Sequence, residues 1–363
     1  MDQTSSNGTS IQADMPFEFR GNTKEYFGIW IVNILLTIVT VGIYSAWAKV
    51  RTKRYFYGNT LVNNDRFDYL ADPVAILKGW LIAIAIYIFY SVVTSIFPFT
   101  VFIFMVLFII GLPWLVVRSL AFRARNTTYR NIRFDFNQSY SEAIKIYVGY
   151  SLLIPLTLGL AYPFVIYKQK QFIVDNSRFG TTPFSFFAKI KDFYKVYAVF
   201  AIGLLLFMAA FYLVFLEQAN NLSPSIDNTP EFQDRDTGSQ QADPLVVFAL
   251  MTSLWAFMLI SYGYLQARIQ NLFWNNAEID KNQFNSTLRA RDMIWIYFSN
   301  AIAVVLTIGL MIPWTKIRLA RYRMNHLSLL ANNDLNKFIA GEEASIKAIG
   351  EEIGEVFDVD IGI

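Results

Sequence analysis

The sequence contains no cysteine and a single histidine, His326. Without thiols there are no disulfides, thiolate metal sites or Cys nucleophiles, although no compartment follows from that. One imidazole falls short of the two His and a carboxylate that zinc hydrolysis needs at helical spacing. In its basic surroundings His326 reads as a solvated side chain rather than a catalytic base. Charge is scarce as well: Asp, Glu, Lys and Arg make up 16% of the 363 residues, against about a quarter in soluble domains. There is no Gly-x-Gly-x-x-Gly and no phosphate-binding loop, so nucleotide binding has no support. The long apolar runs contain no carboxylate and no His, which leaves aspartyl and serine chemistry without an acid pair or a base. The same absence argues against a proton-coupled relay inside the membrane. The expectation is a protein that is not an enzyme, holds no cofactor or metal and binds no nucleic acid. Residues 1–16 are polar, with no basic stretch leading into an apolar one, so no cleaved signal peptide is expected.

What the sequence has is apolar surface, with 55% hydrophobic residues, among them 33 Phe and 20 Tyr. These residues are contiguous. Stretches 26–48, 146–167, 196–216, 244–267 and 293–315 carry no charge, and 79–117 is long enough to cross a membrane twice. At 1.5 Å rise a span takes about 20 apolar residues, so the chain reads as an all-α polytopic membrane protein with four to seven crossings. Core helices of a soluble domain would not all reach this length.

One pattern starts at Phe17, Phe134 and Phe284. An acid follows each Phe at the same interval (Glu25, Glu142, Asp292), then a Thr-x-Gly (Thr40-Val-Gly42, Thr157-Leu-Gly159, Thr307-Ile-Gly309). A bulky aromatic (Trp47, Phe164, Trp314) and a base (Arg51, Lys168, Arg318) complete it. The first two copies continue to Asn59 and Asn176, then to Phe67 and Phe184; the third has His326 and loses the Phe. A shorter module, Asn and Phe eight apart, occurs at Asn59/Phe67, Asn126/Phe134, Asn176/Phe184 and Asn276/Phe284. Short alternating stretches around these residues read as juxtamembrane hairpins or as an aromatic belt at headgroup level. The resulting plan is three Thr-x-Gly broken-helix elements separated by two transmembrane helix pairs. Its parts are a disordered segment 1–16, repeats 17–133 and 134–283 (the second with a polar loop 217–243), a partial repeat 284–331 and an acidic tail 332–363. Spacing of Ile and Val in the tail permits an amphipathic helix that binds a partner.

Lys and Arg in short loops mark the cytoplasmic face. If every apolar run crosses once, the clusters Lys49–Arg54 and Lys168–Lys191 fall on opposite sides, against that rule. If each Thr-x-Gly element instead enters and leaves by one face, four crossings remain and all the basic clusters become cytoplasmic. Glu25 then comes near Arg51, Glu142 near Lys168 and Asp292 near Arg318; in straight helices these pairs would lie about 39 Å apart. Inverted repeats with helices broken at mid-membrane, a recurring transporter plan, are the alternative. Spacing alone leaves both open.

The stretch Phe17-Glu-Phe-Arg-Gly-Asn-Thr-Lys-Glu-Tyr-Phe-Gly-Ile-Trp, then Asn33-Ile-Leu-Leu-Thr-Ile-Val-Thr-Val-Gly-Ile-Tyr-Ser-Ala-Trp-Ala-Lys-Val-Arg51, resembles the YjgN family of bacterial inner-membrane proteins. So do Arg54-Tyr-Phe-Tyr-Gly-Asn-Thr60, Lys78-Gly-Trp and Arg125-Asn-Thr-Thr-Tyr-Arg130. The resemblance covers nearly the whole chain. It implies an inner-membrane location with multiple spans and brings no activity or catalytic residue with it.

Polar residues inside the elements are uncharged and include Asn33, Thr37, Thr40, Thr157, Ser299, Asn300 and Thr307. Residues of this kind serve helix packing. Alternatively the Thr-x-Gly breaks expose backbone to a solute. Basic clusters at the cytoplasmic face are candidates for anionic lipid headgroups. Candidate residues are therefore Glu25, Asn33, Thr40, Gly42, Trp47, Arg51, Glu142, Thr157, Gly159, Lys168, Asp292, Asn300, Thr307, Gly309, Trp314 and Arg318. The leading functional expectation is transport or permeation of a small solute or lipid. The alternative is a non-transporting scaffold or envelope-maintenance protein that binds anionic lipid or protein partners. Both termini are expected on the cytoplasmic side.

Overall fold

The computed structural model describes residues 13–222, 244–331 and 338–345. The segment before residue 13, the polar stretch 223–243 and most of the acidic tail lie outside the described residues, with the expectations placed on them.

The fold is not all-α. Ten short strands close an antiparallel barrel in chain order: β1 (Ala13–Phe19), β2 (Thr60–Val62), β3 (Asp65–Tyr69), β4 (Thr127–Tyr129), β5 (Ile132–Phe136), β6 (Ser177–Phe179), β7 (Thr182–Phe186), β8 (Ala277–Ile279), β9 (Asn282–Ser286) and β10 (Leu327–Ala331). β10 returns to pair with β1, so among the described residues no edge strand is left open. At one end, tight turns join β2–β3, β4–β5, β6–β7 and β8–β9. Asn63 and Asn64, like Arg130 and Asn131, hold positive φ at both turn positions, a geometry that matches the twist of the flanking strands. At the other end the remaining five connections are pairs of helices. The expected hairpins are therefore present, but they close on one another. This closure is hidden in the sequence because each strand has three to seven residues, and hairpins pair across helical inserts, as Phe67 does with Tyr129.

Two helix pairs are long: α3 (Pro73–Ile96) with α4 (Thr100–Arg125), and α8 (Ile190–Leu222) with α9 (Pro244–Trp274). These four helices are long and apolar enough to cross a membrane. The other three pairs are the Thr-x-Gly elements. They comprise α1 (Thr23–Val39) with α2 (Ser45–Gly58), α5 (Tyr140–Ile144) and α6 (Leu153–Leu156) with α7 (Tyr162–Asp175), and α10 (Ala290–Leu306) with α11 (Ile312–Met324). A π-helical stretch, Lys145–Tyr150, links α5 to α6. Each element bends back to the barrel end from which it left. Tyr55 Oη lies 3.1 Å from Glu25 Oε2, whereas a straight helix would separate these residues by about 45 Å.

The bend has the same chemistry three times. Val41, Leu158 and Ile308 have φ of 50°, and Gly42, Gly159 and Gly309 have φ of 91°, 89° and 89°, a region costly for any side chain. The amide of each glycine donates to a carbonyl five residues back: Gly42 to Thr37 at 2.7 Å, Gly159 to Ile154 and Gly309 to Val304 at 2.8 Å. This is the bond that ends a helix at a left-handed residue. The threonine hydroxyl donates to the carbonyl four residues back and accepts the amide of the next helix, as Thr40 does with Leu36 (2.7 Å) and Tyr44 (2.9 Å). At the tips Val41, Leu158 and Ile308 are 87%, 95% and 94% exposed. Such tips suit an apolar medium and not water.

Candidate functional site

The structure brings the sequence-flagged residues together in a different pairing from the one expected. Each acid sits at the start of its element and meets the returning arm. Glu25 accepts from Tyr55, Glu142 from Asn176 Nδ2 (3.2 Å) and Asp292 from Tyr322 (3.3 Å). None of the three pairs with the base expected for it. Arg51 is exposed, Lys168 donates to Gln171 at 3.0 Å, and Arg318 donates to Ser299 (2.7 Å) and Asn300 (3.1 Å) while lying over the Trp314 ring. Trp47 stacks on Tyr44 beside the first bend. Thr40, Thr157 and Thr307, with their glycines, are occupied by the bends themselves. Asn33 is buried with no partner for Oδ1. It borders a groove of about 510 Å³ between α1, α2 and α11 that also holds Thr37, Lys49, Thr52, Lys53 and Lys316.

The Asn and Phe eight apart have separate jobs. Asn59, Asn126, Asn176 and Asn276 each donate Nδ2 to the carbonyl four residues back, at 2.8, 2.7, 3.0 and 2.8 Å, and so finish the helix returning to the barrel. At the fifth return His326 Nδ1 lies 2.8 Å from the Tyr322 carbonyl, so the lone histidine takes the place of the asparagine. The Phe residues then enter the barrel. Phe17, Phe67, Phe134, Phe184 and Phe284 form a closed ring, with successive centroids 6.2, 6.5, 6.4, 6.3 and 6.4 Å apart. Register places a second residue opposite each one: Val62, Tyr129, Phe179, Ile279 and Leu329. Tyr129 is buried in this layer and donates to the Val62 carbonyl at 2.9 Å. Burial pushes its hydroxyl up to about 12.

A chamber of about 370 Å³ runs through these layers. Its walls are the five Phe rings, the residues opposite them, Trp274 and Phe273, with Arg123, Ser177 and Asn282 the polar exceptions. At the turn end, helix 338–345 stoppers the barrel. Phe338 stacks on Phe179 at 6.2 Å, and Ile339 is buried among the barrel residues. The helix is latched by Glu342, buried, which accepts from the Thr181 amide (2.7 Å) and hydroxyl (2.9 Å) and from the Thr182 hydroxyl.

Cations gather at the opposite, helix-side end. Arg123, on the last turn of α4, lines the chamber and is near enough to Lys53 of α2 and Lys170 of α7 to repel both. Lys53 continues through Lys49 to Lys316 around the Asn33 groove. Burial holds Lys53 below the usual lysine range, and Lys49 and Arg123 lower it further; burial and then Arg123 do the same to Lys170. Lys53 meets Tyr69, and Lys170 lies over the Phe273 ring. Among the described residues the ion pairs lie elsewhere, at Arg20–Glu18, Arg125–Asp135, Arg130–Asp65, Lys195–Asp192 and Arg291–Asp292. In the sequence Lys53, Arg123 and Lys170 belong to three separate basic clusters, and only barrel closure brings α2, α4 and α7 together. Four Asn/Phe modules, together with Phe17 and His326, were the signal that could have revealed five units around a ring.

A profile of the family described as "Bacterial protein of unknown function (DUF898)" matches residues 14–356. The Inner membrane protein YjgN of Salmonella typhimurium (strain LT2) is 25% identical over 351 residues, covering 84% of this chain and 85% of that one. Proteins of the same name from Escherichia coli O157:H7 and K12 are each 24% identical over 377 residues, covering 92% of this chain and 93% of their own. No solved structure matches the chain. With the profile spanning nearly its whole length, the chain belongs to the DUF898 family of bacterial proteins.

Proposed function

We propose that this is a multi-pass inner-membrane protein, with the barrel and both termini in the cytoplasm, that binds anionic lipid headgroups on its axis and moves lipid without catalytic chemistry. The observation that carries the reading is the convergence of Lys49, Lys53, Arg123, Lys170 and Lys316 beside apolar helices, with no carboxylate pairing them among the described residues. Each cation near a bilayer surface contributes about 1 kcal/mol toward an anionic lipid. The reading is supported by four helices long and apolar enough to cross a membrane and by three apolar-tipped hairpins on the same side of the barrel as this cluster, and the relatives' name, inner membrane protein, agrees with that setting. A scaffold that holds lipid without moving it is the second reading, favoured by the stopper on the barrel.

Replacing Lys53, Arg123 and Lys170 together by Ala is expected to lower retention of phosphatidylglycerol, measured by native mass spectrometry, by roughly a hundredfold. Retention equal to that of the parent protein removes the headgroup reading. Lipid movement in proteoliposomes should fall in parallel; a parent protein that moves none leaves the scaffold. Orientation has its own check, since the chain has no cysteine of its own. Single cysteines at Asn22, Asn59, Asn176 and Asn325 should all resist an impermeant thiol reagent in intact cells, and one at Asp227 should react. Opposite labelling of Asn59 and Asn176 would contradict the topology.

A further inference from the structure

We infer that the barrel chamber is a binding site for one apolar chain of an anionic amphiphile, inserted tail-first from the helix side with its head left on the axial cations. The inference rests on the headgroup reading for the head only; the position of the tail stands on the chamber itself.

Three observations converge on this occupant. The lining is apolar almost throughout, with Phe17, Phe67, Phe134, Phe184 and Phe284 around the waist, so water finds few partners inside. About 370 Å³ is in the range of small-ligand sites. Polarity is also graded along the axis. Among the described residues the one charged side chain in the lining, Arg123, comes from the helix side, where Lys53 and Lys170 are near enough to feel its charge. At the far end Phe338 and Ile339 close the floor, held by Glu342 on the β6–β7 turn. A neutral hydrocarbon would leave the cations unanswered, and a free inorganic anion would leave the chamber unfilled. An amphiphile with a carboxylate or phosphate head answers both. The helix pairs leave the barrel at the end opposite the Phe338–Ile339 stopper, so that end faces the apolar helices from which such a molecule would come.

The test uses the full chain purified in detergent and a long-chain carboxylic acid bearing a diazirine near its tail. After irradiation and digestion, cross-links are expected on barrel peptides carrying Phe67, Phe134 or Phe184. A blocking variant can be chosen from the barrel's own pattern. Val62 and Ile279 occupy the positions that Tyr129 and Phe179 fill in β4 and β6, so V62F/I279F adds bulk in a form the fold already accommodates. With an unchanged melting temperature, that variant should lose at least about tenfold of the barrel cross-linking, the equivalent of about 1.4 kcal/mol. Cross-links confined to α3, α4, α8 and α9, or undiminished in V62F/I279F, would overturn the inference. So would inorganic phosphate binding that depends on Lys53, Arg123 and Lys170 without any barrel label, which would leave a phosphate site alone. Barrel labelling that survives replacement of those three cations by Ala would sink the headgroup reading and leave the chamber site standing.

Discussion

Phe134→Ala is expected to lower the melting temperature of the detergent-solubilised protein by roughly 3–5 °C, from a loss of about 3 kcal/mol. Phe134 contacts Phe67, Phe184 and Phe179 at centroid distances of 6.5, 6.4 and 5.0 Å. Removing its ring takes away one side of the ring and breaks two stacked contacts at once. Phe→Ala in a packed core loses 3–5 kcal/mol; the lower figure applies because one face of this ring already borders the chamber. The barrel also has no redundancy. Every strand pairs on both sides, so loosening β5 is felt by β4 and β6 and by the helix pairs they carry. Leu205→Ala is the control, since Leu205 is an exposed apolar residue of α8, away from the barrel. If the two variants melt together, the ring is not what holds the barrel closed.

The reasons why some of this was legible in the sequence are physical. A spanning helix declares itself locally, through an uninterrupted apolar run, and α3, α4, α8 and α9 lie where such runs were read. Reversal at Thr-x-Gly is local as well. Gly42, Gly159 and Gly309 mark left-handed backbone, and charge placement raised the one-face arrangement, although spacing alone could not choose it over a crossing. The barrel is not local. Strands of three residues such as Thr60–Val62 have too little length for alternation to be distinctive, and their partners are separated by whole helix pairs. The third sequence copy loses its Phe because the fifth ring position is filled from the other end of the chain, by Phe17. Counting from Phe17 round to His326 gives five units, whereas reading from left to right gave three copies and a remainder. The axial cations were visible as basic clusters, but nothing in the sequence said that Lys53, Arg123 and Lys170 share a centre.

Gly263→Ala should destabilise the protein by about 2–3 kcal/mol, a sign opposite to that of the same change elsewhere in the spanning helices. In a helix Ala is ordinarily favoured over Gly by about 1 kcal/mol, and Gly203 of α8, with open space around its missing Cβ, should follow that rule. At Gly263 a Cβ would lie 2.7 Å from Ile294 Cα and 2.9 Å from Ile294 N. These are backbone atoms of α10 and cannot swing aside, so the new methyl must push α9 and α10 apart. The contact joins α9 to the third Thr-x-Gly hairpin, whose far arm, α11, carries Lys316 and Arg318. Separation there widens the ring of helices on the side where Lys316 meets the Asn33 groove. Phosphatidylglycerol retention should therefore weaken along with melting temperature in Gly263→Ala, and neither should weaken in Gly203→Ala. Melting curves of the two variants in one detergent decide it. A stabilised Gly263→Ala would mean that the α9–α10 approach is looser than the backbone contact requires, and that the helices around the axial cations are not held in place from this side.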